Sequence, residues 1–162
     1  ANYHGEIALK PLYIFDLDGT LALIGHRRHF VERERGRQDW AGFYAACVDD
    51  EPNAPVLKVM ESLRMFADIW IFSGRSDEVR AQTVAWLAKH TSFMRHDLEG
   101  PMLTMRQAGD YTPDDTLKRQ WLGSMMDEDR GRLVATFDDR DRVVKMWRDA
   151  GVTCFQVAPG EF

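Results

Sequence analysis

Leu12-Tyr13-Ile14-Phe15-Asp16-Leu17-Asp18-Gly19-Thr20 is the stretch that decides the fold. Four consecutive apolar residues, three of them aromatic or β-branched, predict a buried strand at Leu12 to Phe15. The character then changes at once. In an extended backbone residues two apart point the same way, so Asp16 and Asp18 converge on one point just beyond the strand. A polar turn built on Asp and Gly is the plain alternative for these residues, and the rest of the chain has to separate the two readings.

Working outward, short apolar runs alternate with helical periodicities. Val56, Leu57, Met60, Leu63 and Phe66 recur at helical spacing, and Ile69-Trp70-Ile71-Phe72 follows as a strand that turns into a loop at Ser73-Gly74. Val79, Thr83, Trp86 and Leu87 mark another amphipathic helix. Met102 to Met105 reads as a short strand, and Pro113-Asp114 as a helix start. Leu117, Trp121, Leu122 and Met125 share one face of that helix, and Leu133 to Phe137 is the next strand. Val143, Val144 and Trp147 line a last helix ended by Gly151, and Val152 to Val157 is a last strand. This order predicts an α/β fold, a Rossmann-like, mostly parallel sheet with helices on both faces. In such folds ligands bind beyond the carboxyl ends of the strands.

Composition excludes several classes. The 162 residues, 44% hydrophobic and 29% charged, suit one domain, 1–162, with a real core. No apolar run approaches the roughly 20 residues that a bilayer crossing needs, so no membrane association is expected. Residues 1–10 lack a basic stretch followed by an apolar run, which leaves a cytoplasmic location as the expectation. Cys47 and Cys154 stand alone, without ligand spacing, and read as inert thiols. With 21 basic and 26 acidic residues the net charge is -5, which argues against a protein that coats nucleic acid through a basic surface.

The expected strand ends are uniformly polar. After the first come Asp16 and Asp18; after the second, Ser73-Gly74-Arg75; after Leu133 to Phe137, Asp138-Asp139. Lys118 falls in the first turn of the helix that begins at Asp114. Carboxylates gathered at one end of a sheet repel one another unless a cation sits among them, and hard oxygen ligands suit Mg²⁺, which a substrate phosphate commonly completes. Lys118, Ser73 and amides near Gly74 suit the remaining phosphate oxygens.

Asp16-x-Asp18-Gly19-Thr20, Ser73-Gly74-Arg75, Lys118 and Asp138-Asp139, in this order, resemble the four motifs of the haloacid dehalogenase-like phosphohydrolase superfamily. Further segments are similar to the 3′-phosphatase domain of bacteriophage polynucleotide kinase-phosphatase. These are Asp138-Asp139-Arg140, Val143-Val144, Met146-Trp147-Arg148, Gly151-Val152, Cys154, Gln156-Val157-Ala158 and Gly160 to Phe162. The resemblance runs from Lys10 to Phe162 and is weakest over residues 22–55. The chain contains no Gly-x-x-x-x-Gly-Lys-Ser/Thr, so kinase chemistry is not expected of it.

The resemblance implies that Asp16 attacks phosphorus and carries a transient aspartyl-phosphate, while Asp18 protonates the leaving oxygen and then takes a proton from water. It implies that Ser73 and the Gly74 amide bind phosphate oxygens, that Lys118 neutralises charge, and that Arg75 stands at the mouth of the site. Asp16, the Asp18 carbonyl and Asp139 would hold Mg²⁺, with Asp138 outside them; which of the Asp138-Asp139 pair touches the metal stays open. To act as an acid Asp18 would need a pKa raised by burial and neighbouring carboxylates. The substrate so implied is a nucleic-acid 3′-phosphate end. A nucleotidase or small-molecule phosphatase on the same scaffold, and a non-catalytic module that binds nucleic-acid ends, are the competing readings.

Residues 22–55 interrupt the α/β pattern and read as a small helical cap over the site. Arg27, Arg28, Arg33, Arg35 and Arg37, with His26 and His29, face only Glu32 and Glu34. They suit either a nucleic-acid backbone or a solvated face with i,i+4 pairs. Trp40, Phe43, Tyr44 and Cys47 share one helical face and read as cap core rather than as a base-stacking surface.

Overall fold

Leu12–Phe15 form β1, the middle strand of a five-stranded sheet in the computed structural model, which describes residues 8–161. Its neighbours are β4 (Asp68–Ser76) and β6 (Leu133–Asp138), with β5 (Leu103–Arg106) and β7 (Cys154–Gln156) at the edges; the order is β5-β4-β1-β6-β7 and every pairing is parallel. Two-sided burial explains the unbroken apolar run. Leu12 and Ile14 enter one core with Phe72, Val143, Val144 and Trp147, and Phe15 enters the other with Leu57, Ile71, Trp86 and Leu87.

Helices cover both faces, as the α/β reading predicts. α2 (Ala54–Arg64) and α3 (Arg80–His90) supply the Phe15 side, and α5 (Asp114–Ser124) and α7 (Asp141–Asp149) the Leu12 side. Two short helices, α4 (Arg95–Leu98) and α6 (Asp127–Arg132), have no counterpart in the sequence reading. The α6 stretch, Asp-Glu-Asp-Arg-Gly-Arg, buries nothing, so no hydrophobic period announces it.

The connection from β1 to α2 is the insertion. It is closed at its base by a two-stranded antiparallel ribbon of β2 (Ala22–Leu23) and β3 (Glu51–Pro52). Between them lie a 3₁₀ turn (Gly25–Phe30), the six-residue α1 (Trp40–Ala45) and a second 3₁₀ turn (Ala46–Asp49). Cys47 and Cys154 are buried free thiols. Among the described residues no helix is long and apolar enough to cross a membrane. The expectation of a chain start without a leader falls, for residues 1–7, outside the described residues, as does Phe162.

Candidate active site

Strand β1 has partners on both sides whose connections run in opposite directions, so its carboxyl end is the switch point where parallel sheets bind ligands. Asp16 stands there, its amide donating to the Phe137 carbonyl at 2.9 Å. The chain then turns sharply: Ala22 N–H returns to the Leu17 carbonyl at 2.9 Å, with Gly19 at a φ of 85°. That left-handed φ suits glycine, and a side chain there would also collide with the Asp139 carboxylate.

Asp16, Asp138 and Asp139 are all buried, and each places a carboxylate oxygen within 4.8 Å of the others. Lys118 bridges two of them. Lys118 Nζ donates to Asp16 Oδ1 and to Asp138 Oδ2, both at 2.7 Å, from the second turn of α5 rather than the expected first. Burial raises the Asp16 pKa well above the ordinary value; Lys118 opposes this, and Asp138 and Asp139 add to it. Burial, followed by repulsion from Asp138, pushes Asp139 up to about 6. Three carboxylates around one ammonium, with the Arg140 guanidinium offsetting only part of the charge at Asp139, leave surplus negative charge at a buried point, and all the donors are hard oxygens, so the residues fit Mg²⁺. Both Asp138 oxygens are committed, Oδ2 to Lys118 and Oδ1 to the amides of Asp139 and Arg140 at 3.0 and 3.2 Å.

Asp18 departs from its expectation. Its Oδ1 accepts from Arg27 Nη2 at 2.8 Å and from Arg75 Nη2. Burial raises its pKa, yet the two guanidiniums outweigh burial and hold it at about 2. The neighbours that set this group are cations, not the carboxylates expected.

Arg75 is corrected in place as well. It is not at the mouth but 1% exposed, donating to Asp18, to Asp50 Oδ2 at 3.0 Å and to Thr83 Oγ1 at 3.1 Å. The reason is that β4 does not end at Phe72. It runs on through Ser73-Gly74-Arg75 to Ser76, with an irregularity in its pairing to β5, and so carries Arg75 against α3. Ser73 is fully buried, its Oγ accepting the Arg75 amide at 3.2 Å; the cavity reaches Gly74 and Ser76 instead.

Arg27, read from the sequence as part of a basic surface, is 0% exposed. Its Nε and Nη2 bond Asp50 Oδ1 and Oδ2, both at 2.7 Å. His26 Nε2 also lies 2.8 Å from Asp50 Oδ1. Arg33, Arg35 and Arg37 are exposed, while Arg28–Glu32 and Arg37–Glu34 form the near-neighbour pairs. Of the expected cap core, Phe43 and Cys47 are buried, but Trp40 is exposed and lines the cavity with Tyr44.

The cavity measures about 800 Å³ and runs from the three aspartates and Lys118 to the insertion. Another wall was missed by the sequence reading. Asp114 accepts from Arg106 and from Arg140, and Arg106 also donates to the Gly74 carbonyl at 2.8 Å and the Thr112 carbonyl at 2.6 Å. Asp114 signalled only a helix start; its partners Arg106 and Arg140 lie eight and 26 residues away, and Arg27 and Asp50 are 23 residues apart, so no local pattern marks either pairing.

Residues 10–162 match the family model for the polynucleotide kinase PNKP phosphatase domain. A protein of Autographa californica nuclear polyhedrosis virus, provisionally described as a bifunctional polynucleotide kinase/RNA ligase, is 31% identical over 147 residues, covering 88% of this chain and 18% of that protein. A chain from the structure of the Pnkp1/Rnl/Hen1 RNA repair complex superimposes with a TM-score of 0.70 at 30% identity, over 94% of this chain and 44% of the other. The class C acid phosphatase from Bacillus anthracis has the same fold, with a TM-score of 0.59 at 15% identity, over 96% of this chain and 69% of that one. The chain therefore spans less than half the length of the first two.

Proposed function

Because this chain belongs to the PNKP phosphatase-domain family of haloacid dehalogenase-like phosphohydrolases, we propose that it is a Mg²⁺-dependent phosphomonoesterase that removes a 3′-phosphate from a DNA or RNA end and leaves a 3′-hydroxyl. The observation that carries this reading is the buried group of Asp16, Asp138 and Asp139, bridged by Lys118, at the floor of the cavity. Residues 22–55 serve as a small cap within a single phosphatase domain.

Asp16, Asp139 and the Asp18 carbonyl would hold Mg²⁺; Asp138, with both oxygens engaged, orients Lys118 and the following loop. Bound there, the ion supplies positive charge to the phosphoryl oxygens and lowers the cost of ionising Asp16. An Asp16 carboxylate oxygen attacks phosphorus in line, the P–O3′ bond breaks, and the 3′-oxygen takes a proton from Asp18. Water then attacks the aspartyl-phosphate, gives its proton to the Asp18 carboxylate, and releases inorganic phosphate. Lys118 and the Gly74 amide meet the charge on the phosphoryl oxygens.

Both arginine bonds to Asp18 fall on Oδ1, so Oδ2 is the oxygen that carries the travelling proton. The arginines favour the ionised state that the second step needs. An arriving phosphate dianion repels that carboxylate and pushes its pKa back up for the first step.

Hydrolysis of 3′-phosphorylated, 5′-phosphorylated and 2′,3′-cyclic oligonucleotides beside 3′- and 5′-mononucleotides tests the reading. The expected result is Mg²⁺-dependent release of phosphate from the 3′-phosphorylated oligonucleotide above all, abolished in Asp16→Asn. Faster cleavage of mononucleotides overturns the substrate, and full activity of the variant overturns the mechanism.

A further inference from the structure

Trp40 has no part in the phosphate chemistry, yet its side chain opens into the same cavity. It is the first residue of α1 and 43% exposed, on a wall continuous with Asp16 and Lys118. Its position is built rather than loose. Asp39 caps the helix, its Oδ1 accepting the Gly42 amide at 2.8 Å. The indole meets the Phe43 ring edge-on at 5.9 Å and lies 6.1 Å from Tyr44 at a tilt of 33°. Phe43 is buried with the Arg27 guanidinium 4.3 Å from its ring centre, and that same guanidinium holds Asp18 at 2.8 Å. Packed side chains thus link the indole to the Asp18 carboxylate. Tyr111, 86% exposed on the connection from β5 to α5, lines the cavity too.

A phosphoryl group needs only a small part of about 800 Å³, a volume in the range that accommodates a whole small molecule. What else enters must suit a flat apolar ring beside charged groups. We propose that Trp40, backed by Tyr44, is a stacking platform for the nucleobase of the nucleotide whose phosphate is removed, with Tyr111 forming a second aromatic edge. The inference rests on the polynucleotide reading above and adds how an end is told from a simple phosphomonoester. Every base has a π face, so such a platform demands a base without choosing among them.

The test compares two oligonucleotides with a 3′-phosphate, one ending in an ordinary nucleotide and one ending in an abasic residue, for the wild type, Trp40→Ala and Trp40→Phe. The wild type is expected to favour the base-bearing end by about tenfold in kcat/KM. Trp40→Ala should lose that preference, falling about tenfold on the base-bearing end and not at all on the abasic one. Trp40→Phe should retain most of it. Equal cleavage of both ends by the wild type, or an equal fall on both in Trp40→Ala, overturns the platform while leaving the 3′-phosphatase reading intact. Cleavage of glycerol phosphate but of neither oligonucleotide overturns the polynucleotide reading and the platform with it.

Discussion

Arg27 and Asp50 form a buried two-bond pair, Nε to Oδ1 and Nη2 to Oδ2, both at 2.7 Å across 23 residues of chain. Neither side chain is exposed. The pair fastens the 3₁₀ turn that opens the insertion to the residue that precedes β3, and Asp50 Oδ2 also accepts from Arg75 at 3.0 Å. One carboxylate therefore positions both cations that hold Asp18.

Asp50→Ala should consequently be costly twice over. It leaves two buried guanidiniums sharing only Asp18, and removing one partner of a buried pair costs about 3–5 kcal/mol. Urea unfolding should show a loss of that order, and phosphatase activity should fall because Asp18 is no longer aimed. A loss below about 1 kcal/mol, the value of a surface pair, would contradict the arrangement.

The acid cluster predicts the opposite sign for stability. Asp139 has a folded-state pKa raised to about 6 from 3.8, so its ionised form opposes folding. The penalty is absent below the unfolded value and complete above pH 6 or so. In metal-free buffer at neutral pH, Asp139→Asn should therefore stabilise the chain by on the order of 3 kcal/mol. Thermal melts in EDTA should show this gain, and melts with Mg²⁺ should show the wild type rising while the variant does not. A variant less stable than the wild type in EDTA would refute the repulsion.

The difference between what was and was not legible follows from range. β1, the helices on each face, and the Asp16, Lys118 and Asp138-Asp139 cluster were readable because burial leaves local periods and the site lies at the ends of those elements. The misplaced residues are those whose setting depends on distant partners. Arg75 looked like a loop residue because Ser73-Gly74 resembles punctuation, whereas pairing with β5 extends the strand past it. Arg27 looked like one of five surface arginines because Asp50, its partner, carries no mark of its own. Trp40 was assigned to a core by its helical phase, which cannot tell an interior from a cavity wall.

Gly160 offers a test of how residues 156–160 support the loop that carries Asp139. The Gly160 carbonyl accepts the Asp141 amide at 2.8 Å, and Gln156 Nε2 donates to the Asp139 carbonyl at 3.0 Å. A Cβ on Gly160 would collide with that carbonyl and with Arg140 Cα. Gly160→Ala should cost about 1–3 kcal/mol and raise the Mg²⁺ needed for half-maximal activity about tenfold. Gly123→Ala is the contrast: it lies within α5 with nothing near the added methyl, and should gain up to about 1 kcal/mol. Mg²⁺ titrations of activity and urea midpoints check both, and an unchanged Mg²⁺ requirement in Gly160→Ala would show that this segment only adds stability.

The exposed arginines of the insertion bear on the proposed polynucleotide substrate. Glu32 pairs with Arg28 and Glu34 with Arg37, while among the described residues Arg33 and Arg35 have no carboxylate partner. On the proposed function, these two exposed cations of the insertion should meet the backbone of a long substrate but not a mononucleotide. For a single-stranded oligonucleotide, the logarithm of kcat/KM should fall with the logarithm of salt by about 0.7 for each phosphate contacted. The slope for a 3′-mononucleotide should be near zero. Arg33→Gln/Arg35→Gln should flatten the oligonucleotide slope by roughly 1 to 1.5 and leave the mononucleotide rate unchanged, because neither residue lines the cavity. If the slope stays as steep as in the wild type, these arginines belong to a solvated face and the backbone takes another path.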